Sequence, residues 1–134
     1  MIYICFIIWV LYSIVEGIRD AIFYHHYNLY SEKLFNEHII FVIQRSMVCF
    51  MLFYLSDFNF LLLLSLILNF SFFHNGSYYT TRHILKKKIY NYDNLYSKKW
   101  FAQSTTSTSF WTKYMTPLNR TILFLISVGL LFVI

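Results

Sequence analysis

The sequence predicts an all-α fold, a polytopic integral membrane bundle of about four transmembrane helices. First, 58% of the residues are hydrophobic and 13% are charged, whereas soluble domains average about 45–50% apolar and about 25% charged residues. Second, the apolar residues gather into four runs of 16 to 18 residues. Third, one proline and three glycines leave few helix-breaking positions. We treat residues 1–134 as a single membrane domain.

The first helix is predicted at about residues 1–24. Its apolar run extends from Met1 to Ile18 and is interrupted late by Glu16. A secretory signal would carry a positive segment before its apolar core and small residues at a cleavage point. No Lys or Arg precedes Arg19, and no A-x-A pattern follows. We therefore expect a retained transmembrane helix.

The second and third helices are predicted at about residues 38–56 and 58–85. Their apolar runs are a little shorter than the roughly 20 residues that cross a hydrocarbon core, so flanking residues must reach the interfaces. Only Ser56-Asp57 separates the two runs. This short connection predicts a tight antiparallel helical hairpin.

The last helix is predicted at residues 117–134. Pro117 precedes the run from Leu118 to Ile134, and proline is well tolerated in the first turn of a helix. The preceding residues, 86–116, form a basic and aromatic connection that ends in a stretch rich in Ser and Thr.

The orientation follows from the distribution of Lys and Arg, because positively charged connections are retained on the cytoplasmic side. The N-terminus, the Ser56-Asp57 turn and the C-terminus carry none of these residues, and the two longer connections carry nine of the eleven. They are Arg19, Lys33, Arg82, Lys86, Lys87, Lys88, Lys98, Lys99 and Lys113. We expect both termini outside and both longer connections inside, in a bacterial inner membrane or an organellar inner membrane.

This topology places several polar residues at one depth, near the inner end of the bundle. The candidates are Glu16, Arg19, Asp20, Gln44, Arg45, His74, Asn75, Tyr78 and Arg82. Charged groups in a bilayer face the bundle interior, pair with each other or snorkel to the interface. Three interpretations stay open: a structural ion-pair network, a site that binds or transfers an ion, a proton or a lipid headgroup, and independent snorkelling.

Metal and catalytic signatures are weak in this sequence. No Glu-x-x-His occurs, the adjacent His25 and His26 would point to different sides of a helix, and no series of histidine boxes is present. Cys5 and Cys49 have no partner at metal-site spacing. No P-loop, G-x-G-x-x-G or G-x-S-x-G motif is found. We expect no metal and no cofactor, assign no catalytic residue, and favour a protein that is not an enzyme.

The long connection is predicted to lie on the membrane surface. The lipid-surface residues are Lys86, Lys87, Lys88, Lys98, Lys99 and Trp100. Basic and aromatic residues bind anionic lipid and also single-stranded nucleic acid, but the neighbouring membrane segments favour lipid. Membrane lipids are therefore the expected partners, together with other membrane subunits or further copies of the chain, and nucleic acid is not.

The leading hypothesis is a non-enzymatic membrane protein that acts through helix and lipid contacts, as a subunit of a larger membrane complex. One alternative is a small membrane enzyme, or a carrier of ions, protons or lipids, with its polar site at the cytoplasmic end of the bundle. Another is a pore-former of the phage holin kind. Holins generally carry a charged C-terminal tail, whereas this chain ends in the apolar stretch from Leu130 to Ile134.

Overall fold

The computed structural model describes residues 1–27, 37–90, 99–102 and 114–134, and the side chains of 1–23, 39–85, 100–102 and 114–134. These residues form helices and no strand, which confirms the predicted all-α class. The helices are α1 (Ile2–Tyr27), α2 (Glu37–Leu55), α3 (Phe60–Tyr90), a 3-10 turn (Lys99–Phe101) and α4 (Pro117–Leu131).

The connection between α2 and α3 is longer than the predicted two residues. Asp57 and Phe58 have φ angles of 56° and 57°, a left-handed conformation that ends the helical geometry of α2. The Asn59 side chain then accepts a hydrogen bond from the Leu62 N–H at 2.9 Å and caps α3. The third helix therefore begins at Phe60 and not at residue 58.

The other end of α3 also departs from prediction. The helix continues to Tyr90, beyond the predicted end at residue 85, so Lys86, Lys87 and Lys88 belong to the helix backbone. Charged residues with long side chains are good helix formers in water. The loss of hydropathy at residue 85 therefore does not end the helix.

The start of α4 follows the prediction from Pro117. The Thr116 hydroxyl accepts a hydrogen bond from the Asn119 N–H at 3.2 Å. Pro117 occupies the first turn, where a missing N–H costs no helical hydrogen bond. The helix is thus capped at the position where its apolar run starts.

Helix α3 lies at the centre of the bundle, between α1 and α4. The Trp9 indole N–H donates to the Leu66 carbonyl at 2.7 Å and joins α1 to α3 in parallel. Ser65 contacts Ser127 at 2.9 Å and joins α3 to α4 in antiparallel orientation. Helix α2 packs beside α1 and α3 with fewer contacts.

Helices α1 and α3 approach each other closely. Ser13, Gly17 and Ala21 recur every four residues on α1 and are all buried. A Cβ atom on Gly17 would overlap the Ser77 hydroxyl and the His74 carbonyl. Small residues at this spacing allow membrane helices to approach closely.

Both termini lie at one end of the bundle. The Tyr3 hydroxyl donates to the Leu131 carbonyl at 3.4 Å, which places the start of α1 beside the end of α4. The α2–α3 turn lies at the same end because α2 runs antiparallel to α1. We call this end the terminal end, and the other the connection end.

Two of the helices are long and apolar enough to cross a membrane: residues Ile2–Phe23 and Phe60–Leu85, which contain 22 and 26 residues. The apolar parts of the other two helices, Ile39–Leu55 and Pro117–Leu131, are shorter.

Apolar and polar side chains share the interior of the bundle, where an apolar core includes Trp9, Leu52, Leu62 and Leu66. Buried polar residues include Ser13, Glu16, Asp20, Ser65, Asn69, Ser77, Arg120 and Ser127. Large apolar side chains are exposed on every α-helix, among them Ile4, Ile7, Leu11, Val42, Phe50, Leu64, Ile67, Ile122 and Leu125. Water-soluble monomers rarely expose contiguous apolar surface of this extent.

Candidate functional site

Near the connection end, three helices bring six polar side chains into mutual contact. We call this group the polar cluster: Glu16, Arg19 and Asp20 of α1, Gln44 and Arg45 of α2, and His74 of α3. All six are among the residues that the sequence predicts at this depth.

Arg45 holds both carboxylates of α1. Its Nε donates to Glu16 Oε1 at 2.9 Å, and its Nη2 donates to Asp20 Oδ2 at 3.1 Å. Glu16 and Asp20 are four residues apart, so one helical face presents both acceptors to one guanidinium. The guanidinium carbon lies 5.0 Å from the centre of the Phe70 ring, within cation–π range.

Arg19 completes the pairing on the other side of the carboxylates. Its Nη2 donates to Asp20 Oδ1 at 2.9 Å and to Glu16 Oε1 at 3.2 Å. Its Nη1 donates to Gln44 Oε1 at 2.9 Å, which adds a second tie to α2. Two carboxylates and two guanidinium groups therefore balance in charge within the polar cluster.

His74 extends the polar cluster to α3. Its Nε2 lies 3.1 Å from Asp20 Oδ2 and 3.4 Å from Arg45 Nη2, and its Nδ1 lies 3.1 Å from Asn75 Oδ1. A proton on Nε2 would be donated to Asp20, whereas a bare Nε2 would accept from Arg45. Nε2 therefore has a hydrogen-bonding partner in either tautomer of the ring.

In the polar cluster, the carboxylate side chains are buried and the arginine side chains are partly exposed. The side chains of Glu16 and Asp20 are 1% and 4% exposed, whereas those of Arg19 and Arg45 are 39% and 26% exposed. Its outer surface is therefore positively charged although the cluster is neutral as a set. An anion that approaches from outside the bundle meets guanidinium groups first.

The remaining candidates lie next to the polar cluster. Asn75 contacts His74 and donates to the Ser71 hydroxyl at 3.3 Å. The Tyr78 ring stacks on His74 with centroids 6.4 Å apart, and Arg82 Nη1 donates to the Tyr78 hydroxyl at 3.3 Å. Arg82 is thus about two helical turns away from His74.

Among the predicted lipid-surface residues, the structure describes the side chain of Trp100. Trp100 packs on α3, with its ring centroid 5.8 Å from that of Phe72. Gly76 leaves the space for this indole, since a Cβ atom there would overlap the ring. The side chains of Lys86, Lys87, Lys88, Lys98 and Lys99 lie outside the described residues, and their lipid contact stays a prediction.

Two polar groupings were missed by the sequence analysis. Arg120 of α4 is buried, donates to the Ala102 carbonyl at 2.8 Å and lies 5.9 Å from the centre of the Tyr79 ring. Ser127 donates to the Ser65 carbonyl at 3.0 Å and accepts from Asn69 Nδ2 at 3.3 Å. The sequence does contain one sign of the Arg120 grouping, since Arg120 is the single charged residue in the apolar run from Leu118 to Ile134.

The arrangement exposes guanidinium groups at its surface and places His74 in hydrogen-bonding contact with Asp20. Among the described side chains, no three His, Cys, Asp or Glu groups are placed to hold a metal ion. In comparisons with known proteins, no family model, curated protein or solved structure matches this chain.

Proposed function

We propose that this chain is a four-span integral membrane protein without catalytic activity, which works through contacts of its helices with lipid and with other membrane subunits. The main support for this proposal is the distribution of polar and apolar side chains. Large apolar side chains are exposed on all four α-helices, whereas Ser, Asn and charged residues are buried between the helices beside the apolar core. Helix interfaces in membrane bundles are enriched in small and polar residues, because lipid tails are as apolar as aliphatic side chains and give those side chains no reason to leave the lipid.

The two shorter helices are included as spans because they run beside the longer ones. Helix α4 has 15 residues, or about 22 Å at 1.5 Å per residue. Its ends lie beside Tyr3 and Tyr79, so it covers much of the length of the bundle. Helix α2 extends from Glu37 to the α2–α3 turn, and near its start the ring centroid of Phe41 lies 6.2 Å from that of Phe23.

The topology is tested by cysteine accessibility in a Cys5→Ala, Cys49→Ala background. Single reporters replace Asp57, Lys87 or Ile134. We expect Asp57→Cys and Ile134→Cys to react with an impermeant maleimide from outside and Lys87→Cys only from inside. Labelling of Lys87→Cys from outside would overturn the orientation, and labelling of all three from one side would overturn the four spans.

The mode of action is tested by purification in mild detergent. Partner subunits in fixed stoichiometry would support the non-enzymatic subunit role. A monodisperse chain without partner proteins would leave contacts with lipid as its mode of action and would contradict the subunit role.

A second candidate is a carrier or a small enzyme that uses the polar cluster, which is supported by His74 between Asp20 and Arg45. His74→Gln retains hydrogen bonding but not proton exchange. Failure of this variant to complement a deletion strain, with unchanged membrane assembly, would favour this candidate, and full complementation would favour the structural role.

A further inference from the structure

An apolar groove opens on the side of the bundle between α2 and α3, directly next to Arg45. Its volume is about 450 Å³. Trp9 of α1 contributes to its wall, and the other lining residues are Arg45, Ser46, Cys49, Phe50, Phe53, Leu63, Ile67 and Phe70. Phe50 and Ile67 are exposed, so the groove faces the medium that surrounds the bundle.

The groove has one charged end and one apolar end. Along α2, Arg45 and Phe53 are separated by about 12 Å at 1.5 Å per residue. Arg45 lies toward the connection end, and Phe53 lies next to the α2–α3 turn. A molecule with an anionic head and a hydrocarbon tail matches this order.

The charge of the polar cluster favours an anionic head over a neutral or cationic one. Glu16 and Asp20 are shielded from this surface, whereas Arg45 keeps 26% of its side chain exposed. Arg45 donates to Glu16 and Asp20 through Nε and Nη2, and a guanidinium group offers five N–H donors. The remaining donors can bind phosphate oxygen atoms.

We propose that this groove is a binding site for one anionic phospholipid, with the phosphate on Arg45 and an acyl chain along Cys49, Phe53 and Ile67. The site rests on the proposed membrane location, because it draws its ligand from the leaflet at the connection end. Basic pockets between membrane helices on the cytoplasmic side are a known setting for anionic headgroups. The positive charges of the predicted cytoplasmic connections would enrich such lipids nearby.

The test uses Trp9 as a reporter of acyl chains in the groove. The full chain, with Trp100→Phe and Trp111→Phe, is reconstituted in phosphatidylcholine vesicles that contain a minor fraction of either brominated phosphatidylglycerol or brominated phosphatidylcholine. Bromine quenches tryptophan at contact. We expect phosphatidylglycerol to quench Trp9 about tenfold more effectively, as one charge-assisted contact would produce.

Three variants locate the site. Cys49→Phe fills the groove without touching the polar cluster, and the preference for phosphatidylglycerol should disappear. Met47→Phe adds the same ring at an exposed position of α2 outside the groove, and the preference should stay. Arg45→Gln should equalise the two lipids, provided that its circular dichroism spectrum matches that of the unmodified protein.

Equal quenching by the two lipids, or a preference that survives Cys49→Phe, would overturn the proposal. A second copy of the chain in the groove would also overturn it. It would appear in native mass spectrometry as a dimer that is lost in Cys49→Phe and kept in Met47→Phe. The cysteine reporters at Asp57, Lys87 and Ile134 distinguish this failure from failure of the four-span topology.

Discussion

Arg45 Nε and Glu16 Oε1 lie 2.9 Å apart and form the ion pair that joins α2 to α1. The same guanidinium holds Asp20, so α2 is anchored at the polar cluster, although its other contacts with the bundle are few. The position of α2 therefore depends on electrostatic pairing more than the positions of α3 and α4 do.

Arg45→Gln should lower the free energy of unfolding by about 3 kcal/mol, since removal of one partner leaves buried charge uncompensated. The Glu16→Gln, Arg45→Gln double variant should lose clearly less than the sum of the two single variants. The measurement is circular dichroism during SDS titration in mixed micelles. Met47→Gln, at a site that is 69% exposed, is the control for polarity on α2. Additive losses would show that the two residues are not coupled.

Gly17→Ala should destabilise the protein by about 1–3 kcal/mol, because the new methyl group enters the contact of α1 with Ser77 and His74. Gly129→Ala is the matched control, since a Cβ atom there meets no other atom within 4 Å. Alanine favours the helix over glycine by about 1 kcal/mol, so this control should be neutral or stabilising. Equal effects of the two substitutions in thermal unfolding would contradict the close approach of α1 and α3.

Gly76→Ala should loosen the 3-10 turn from α3, because the methyl group displaces the Trp100 ring. The effect should be visible as a red shift and increased quenching by acrylamide of the fluorescence of Trp100, measured with Trp9→Phe and Trp111→Phe. In a Trp100→Ala background, Gly76→Ala should cost no further stability. A full loss of stability in that background would place the cause elsewhere on α3.

Ser127→Ala should destabilise the α3–α4 contact by about 0.6–1.7 kcal/mol, the range of hydrogen bonds between membrane helices. Its hydroxyl donates to the Ser65 carbonyl and accepts from Asn69. Ile126→Ala removes more apolar volume from a half-exposed position, but lipid replaces that contact in a bilayer. A larger loss for Ile126→Ala than for Ser127→Ala in the SDS titration would argue against a lipid-facing α4.

The helices could be predicted because their apolar runs are long and rarely interrupted. The convergence of Glu16, Arg45 and His74 could also be predicted, since an alternating topology brings the inner ends of consecutive helices to one depth. Their individual contacts could not. Which oxygen meets which nitrogen depends on the rotation of each helix about its axis, and hydropathy does not report that rotation.

Other features carry no signal in a single sequence. The small residues of α1 cannot be recognised as a contact surface before α3 is known to pack against them. They are Ser13, Gly17 and Ala21. Asp57 and Phe58 adopt the left-handed conformation although neither is a glycine, so the sequence does not mark this turn. Arg120 was included in an apolar run because one charge in 17 residues hardly changes the average, yet it is buried and contacts the 3-10 turn region through Ala102.

The pairing of α1 with α3, across the intervening α2, has a consequence for biogenesis. Gly17 packs on His74 and Ser77, which leave the ribosome only after all of α2 has been translated. In the proposed membrane protein, α1 would during this interval present Glu16 and Asp20 to the insertion machinery with Arg19 as the nearest counterion. Arg45 is the first group from another helix that can neutralise them. Helix α2 would therefore act as the early partner that keeps α1 inserted until α3 arrives.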